Sequence, residues 1–248
     1  MFLSQMIIAP NELVSNIVKQ NHHTADVFRK YSIEYCCGGN RPLETVCITM
    51  GIEFEKLKKE LEEAGRQVQL SPFTEFSSWN TDFLISYIIH VHHLFLKKTL
   101  PGTAAIIKDF TEGHKKQYPE LQEAAILFQQ LQHEVTLHLT YEEETIFPYI
   151  LQIAHAHDNK DSYAKLLVKT LRKPLHVIIK HEEEMLSALI LKIRLLTNNY
   201  ILPPNACVNH LLVLCRLKDL DNDLMQHIYL ENDILFPRAL RIESALLK

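Results

Sequence analysis

Glycine is scarce in this chain, 6 residues in 248, and no run of alternating β-branched residues stands between turn signals. Without that alternation and that punctuation, an all-β sandwich or barrel is excluded. Clusters of lysine and arginine are also missing. The 26 basic and 30 acidic side chains leave a formal net charge of −4, and the isoelectric point is near 6.4. Such a balance offers no broad attraction to a phosphate backbone or an anionic bilayer, so nucleic acid is not an expected partner. Every apolar run is broken by charge or histidine before reaching the roughly 20 residues that cross a membrane. The apolar start Met1 to Pro10 lacks the basic segment of a signal peptide. The expectation is a soluble, cytoplasmic protein with no membrane association. Cysteine is sparse and odd in number, five in all. Cys36, Cys37, Cys47, Cys207 and Cys215 suit thiols in a reducing compartment better than a disulfide framework.

What the chain does have is apolar material, 47% of residues, in long stretches of Leu, Ile, Glu and Lys. The expected fold class is all-α. Residues 1–65 read as a small domain of short helices: Glu12 to Lys19 capped by Asn11, Thr24 to Tyr31, Pro42 to Met50 closed by Gly51, and Glu53 to Ala64. Within it, Tyr35-Cys36-Cys37-Gly38-Gly39 marks a tight turn. Residues 66–80 read as a polar linker. Residues 81–248 hold four long helical segments. The first is capped by Asn80 or Thr81, runs to about Lys98 and is interrupted at Leu100-Pro101-Gly102 before continuing towards His114. The second starts at Pro119 and runs to Ile153, with a kink expected at Pro148. The third is opened by Pro174 and closed near Leu196 by Asn198-Asn199, and the fourth follows Pro203-Pro204-Asn205. Two helical hairpins of this kind close into an up-down four-helix bundle, whose interior is where facing helices build metal sites.

One device occurs twice. His138, Glu142, Phe147 and Pro148 recur as His227, Glu231, Phe236 and Pro237, each 89 residues later, which points to internal duplication. A His and a Glu four residues apart share one face of a helix and aim at one point. Two such pairs call for a further ligand from each of the other two helices. On the third, His181 shares a face with Ile178, Met185 and Leu189. On the first, His90, His92 and His93 fall within one turn; the repeat offset from His181 selects His92, but loops of unequal length would select a neighbour, so spacing leaves the choice open. Imidazoles and carboxylates without thiolates favour iron or manganese over a structural zinc. Two metals bridged by the two glutamates would retain open positions for a small molecule such as dioxygen, nitric oxide or water. Glu134, one turn before His138, reads as a carboxylate supporting the site or as a solvated helix position. Adjacent Cys36 and Cys37 could form only a strained ring, so they read as functional thiols or as an inert turn.

Taken together, these motifs resemble the di-iron proteins that repair iron-sulfur centres, in which a hemerythrin-like bundle follows a small double-cysteine domain. The carrying residues are Tyr35-Cys36-Cys37-Gly38-Gly39, Leu84 to His93 with Leu100-Pro101, and His138-x-x-x-Glu142-Glu143 with Phe147-Pro148. The second half adds Pro174 ahead of His181-Glu182, Ala206-Cys207, and His227-x-x-x-Glu231-Asn232 with Leu235-Phe236-Pro237. The resemblance implies two non-haem iron ions held by His93, His138, His181 and His227, with Glu142 and Glu231 bridging; it prefers His93 to His92. It implies a stress-response function, repair of iron-sulfur clusters damaged by oxidants or nitric oxide, through iron donation or nitric oxide handling. The implied partners are damaged iron-sulfur proteins, with nitric oxide or dioxygen as small ligands. A nitric oxide reductase forming nitrous oxide, and a di-iron oxygen or nitric oxide sensor, are the alternative functions; a homodimer is allowed. Two positions depart from the family pattern. Lys180 and Glu182 flank His181 where the family has Glu and Asp, which bears on the route to the site, and Glu34 replaces the Asp ahead of the cysteine pair.

Overall fold

The computed structural model describes residues 2–4, 6–36, 39–69, 74–169 and 175–247, with the backbone alone for 2–4, 67–69 and 175–184. These residues form two compact units, Met1–Thr74 with Tyr200–Arg216, and Glu75–Asn199 with Leu217–Lys248.

In the first unit, four short helices are α1 (Val14–Gln20), α2 (Thr24–Lys30), α3 (Leu43–Met50) and α4 (Phe54–Ala64). Their apolar positions recur at helical spacing and bury Ile17, Phe28, Val46, Leu57 and Leu61. Gly51 ends α3 in the left-handed region at φ 66°, where a side chain would be strained. The start of α1 differs from expectation. Asn11 makes no cap; the helix begins after Leu13, with no side chain capping it. Just after the cysteine pair, Gly39 has no room for a side chain: a Cβ on it would stand 2.2 Å from the carbonyl oxygen of Tyr35, while its carbonyl accepts the Ser15 amide at 2.9 Å. Two short strands, β1 (Phe2–Ser4) and β2 (Gln67–Gln69), pair antiparallel with Phe2 opposite Gln69. The second lies where the sequence reads as linker. Segment 200–216 joins this unit through Arg216, whose buried guanidinium pairs with Asp26.

The second unit is an all-α bundle built on long rods. The first rod is α5 (Thr81–Tyr87), a π-helical segment Ile88–His93, and α6 (Leu94–His114). Asn80 caps it, its side-chain oxygen accepting the Phe83 amide at 2.8 Å. The second is α7 (Glu120–Tyr141), π-helical Glu142–Ile146, and α8 (Phe147–Asp158). A single turn, α9 (Ala164–Leu167), precedes α10 (Leu175–Leu196), and Asn198 and Asn199 close α10 at φ 46° and 54°. The last rod takes the part of α11 (Val208–Tyr229) from Leu217 on, then π-helical Leu230–Leu235 and α12 (Phe236–Leu246). Helix α7 packs along α6 and α10, and α8 along α5 and α12.

Neither expected proline break occurs. Pro101 lies inside an unbroken α6; it and Lys97, whose carbonyl loses a donor to the proline, are both exposed on the solvent side. Pro148 sits in the first turn of α8, directly after the π turn, and the rod runs on through it. The stretch from His155 therefore continues as helix to Asp158. Around the π segments lies one apolar cluster including Leu84, Ile88, Phe147, Ile150, Leu235 and Phe236.

Candidate metal centre

The three π segments stand where the predicted ligands lie, and for two of them the sequence shows the cause. Phe147 follows Glu142 by five residues, and Phe236 follows Glu231 by five. On an α-helix a spacing of five turns a side chain well off the face of its partner, whereas an i→i+5 turn brings it back. The π turn thus keeps Phe147 and Glu142, and Phe236 and Glu231, all buried. Phe147 then stacks on the His93 ring, with centroids 5.5 Å apart.

The side chains of His93, Glu142, His227 and Glu231 converge, with donor atoms within 4.8 Å of one another and all four residues buried. His93 Nε2 lies 3.0 Å from His227 Nε2. Glu142 Oε2 lies 3.4 Å from His93 Nε2, 3.3 Å from His138 Nε2 and 3.6 Å from His227 Nε2. Glu231 closes the ring, with Oε1 3.3 Å from His227 Nε2 and Oε2 3.9 Å from His138 Nε2. Neither carboxylate oxygen of the buried Glu142 has a hydrogen-bond partner, a cost that a fold retains only if something else meets those atoms. A cation fits there. At a metal–nitrogen distance of about 2.1 Å, two imidazoles at right angles on one ion stand about 3.0 Å apart, the separation between His93 and His227.

The protonation states suit a cation as well. Burial alone would push the Glu142 carboxyl up, but His138, His227 and His93 together hold it well below the usual carboxylate range. Burial draws His227 down to about 4, against the opposing pull of Glu142. Near neutral pH the carboxyl is ionised and the imidazole neutral, the forms that bind metals.

Around this group are residues that sequence reading did not assign. His93 Nδ1 donates to Glu143 Oε1 at 2.7 Å, and Lys97 Nζ reaches both Glu143 oxygens at 2.7 and 2.6 Å. That contact fixes the tautomer and leaves Nε2 free to point inward. Burial raises the Glu143 carboxyl, but Lys97 and His93 outweigh it and hold it low. His92, the other candidate on this rod, is equally buried and hydrogen-bonds Asp223 at 3.0 Å through Nδ1. The signals were local: Lys97 is four residues after His93, Asp223 four before His227, and Glu143 directly follows Glu142.

The remaining predicted residues divide. His138 is buried beside both glutamates. The backbone of His181 lies within α10, but its side chain falls outside the described residues. Glu134 is half-buried one turn before His138 and outside the converging group. Cys36 is half-buried in the first unit, and Cys37 lies outside the described residues. Cys47 is buried, and burial pushes its thiol up.

Residues 84–239 match the family described as Hemerythrin HHE cation binding domain. Residues 10–65 match one described as Domain of Unknown function (DUF542). The chain is 25% identical over 232 residues to the iron-sulfur cluster repair protein ScdA of Staphylococcus haemolyticus, covering 93% of this chain and 98% of that protein. It is 29% identical over 217 residues to the iron-sulfur cluster repair protein YtfE of Citrobacter koseri, covering 86% and 90%. To the protein of the same name from Escherichia coli it is 28% identical over 218 residues, with the same coverage.

Proposed function

The chain belongs to the hemerythrin HHE cation-binding domain family, and from that premise we propose that it holds two non-haem iron ions and repairs iron-sulfur clusters damaged by oxidative or nitrosative stress. The observation that carries this reading is the buried convergence of His93, Glu142, His227 and Glu231. The relatives named for cluster repair, aligned over most of their length and of this chain, support the function. His93, His138, His181 and His227 are the proposed imidazole ligands, with Glu142 and Glu231 as bridges. Their nitrogen and oxygen donors, without thiolate, suit iron.

Iron bound there supplies Lewis acidity and one-electron chemistry towards small ligands such as nitric oxide. The chain's own residues do the rest. Glu143 and Lys97 hold the His93 tautomer. Phe147 packs against that ring. Glu142 and Glu231 are both buried, which strengthens every electrostatic contact among the group. A supply of iron to damaged clusters, or removal of the nitric oxide that damages them, are the two ways such a centre would serve repair. The partners on this reading are damaged iron-sulfur proteins in the cytoplasm. The unbridged thiols of Cys47 and Cys215 fit that reducing compartment.

The test is anaerobic recovery of an oxidant-damaged [4Fe–4S] enzyme by the 57Fe-loaded protein. Labelled iron should enter the cluster and its activity return, with the His227→Ala variant inactive. Equal recovery from that variant, or from the same concentration of free ferrous iron, would overturn the proposal.

A further inference from the structure

His92 is an imidazole that the proposed centre does not use. It is 1% exposed, and its Nδ1 lies 3.0 Å from Asp223 Oδ1, the same carboxylate support that Glu143 gives His93. A carboxylate on Nδ1 fixes the tautomer that leaves a lone pair on Nε2. In His92 that Nε2 is buried and meets no hydrogen-bond partner. The ring also lies beside one of the proposed ligands. Its centroid is 6.2 Å from that of His227, against 5.0 Å for His93 and 5.5 Å for His138. The π segment Ile88–His93 accounts for two successive buried histidines, because it spreads neighbours by roughly 82° where an α-helix spreads them by roughly 100°. A purely structural histidine at this depth would satisfy both nitrogens, or give way to an apolar ring such as that of Tyr87, which packs edge-on against it at 5.5 Å.

We propose that His92 is a fifth imidazole donor of the metal centre, held by Asp223 for a position that the six other ligands leave open. The proposal rests on the di-iron reading above. His92 would reach the ion nearest His227, closing a position to water and slowing loss of that ion.

The experiment uses the full chain loaded with 57Fe. His92→Phe keeps a buried ring and removes the lone pair; Asp223→Asn keeps an acceptor oxygen and removes the charge, a milder change that tolerates folding. Two irons per chain are expected in all three proteins. One of the two Mössbauer quadrupole doublets should shift in His92→Phe and shift less, in the same direction, in Asp223→Asn. Loss of one iron to a chelator should quicken about tenfold in His92→Phe, the scale on which a lost donor or its support is felt. Mössbauer spectra and chelation rates matching wild type in both variants would overturn the proposal, whatever their melting temperatures. A wild-type chain without an iron pair would overturn the di-iron reading and this proposal with it, and iron content alone identifies that case.

Discussion

At Glu142 burial and charge oppose each other, and the outcome sets how the metal-free protein responds to acid. Its carboxyl is held low by three imidazoles, and burial holds His227 neutral with a pKa of about 4 in place of 6.5. Between those two values the unfolded chain takes up a proton that the folded chain refuses, so stability falls as pH drops from about 6.5 towards 4. Glu142 acts in the same sense, its contribution being present above the ordinary carboxylate range and lost on further acidification. Chelated protein should therefore lose about 2 kcal/mol between pH 7 and pH 5 from His227 alone, read as a falling urea midpoint that flattens in His227→Leu. An unchanged midpoint in the wild type would contradict it. Glu143→Gln is the second prediction at this scale. An amide still accepts from His93 but loses the charge that Lys97 and the imidazole stabilise, so metal affinity should fall about tenfold while helicity by circular dichroism stays unchanged. The pairs His138–Glu142 and His227–Glu231 were legible because four-residue spacing and the repeat are written in the chain. The choice between His92 and His93 was not, since residue counting assumes a uniform helix and the first rod has a π turn through both.

The π turns are the elements on which the centre depends. Each inserts one residue's worth of rotation, and in two of the three the cause was visible: a buried phenylalanine five residues after a buried glutamate. Pro148 and Pro237 drew attention instead, because proline is the stronger local signal. Its effect proved small, since both follow a π turn and sit in the first turn of the next helix. Deleting Thr145 leaves Phe147 four residues after Glu142, and four α-helical residues turn a side chain by nearly the same angle as five π-helical ones. Glu142–Ile146 should then become α-helix with Glu142 and Phe147 still on one face, so helix content and two irons per chain should stay near wild type; loss of iron would show that the π turn itself, and not the alignment it gives, holds the site.

Across the whole molecule, the all-α class and the four rods followed from periodicity, because long amphipathic helices carry their core in their spacing. The composition of the first unit did not. It includes residues 200–216, more than a hundred positions beyond its other part, through a buried arginine whose partner Asp26 lies on α2. Nothing local in the sequence ties Arg216 to Asp26. The fragment comprising residues 1–74 should accordingly be less stable than the same unit in the full chain, with fast amide exchange throughout α2. Asp26→Ala in the full chain should destabilise that unit by about 1 kcal/mol, because the buried guanidinium keeps only its contact to His23 at 3.5 Å. Exchange in the fragment as slow as in the full chain would show that the later segment is dispensable.

The central claim, a pair of irons inside the bundle, is tested most directly by iron analysis with Mössbauer spectroscopy of the purified chain. The account predicts two irons per chain, high-spin and antiferromagnetically coupled when oxidised, reduced to at most one by His227→Ala or Glu231→Ala. Zinc in place of iron, a single uncoupled iron, or two irons retained in both variants would contradict it.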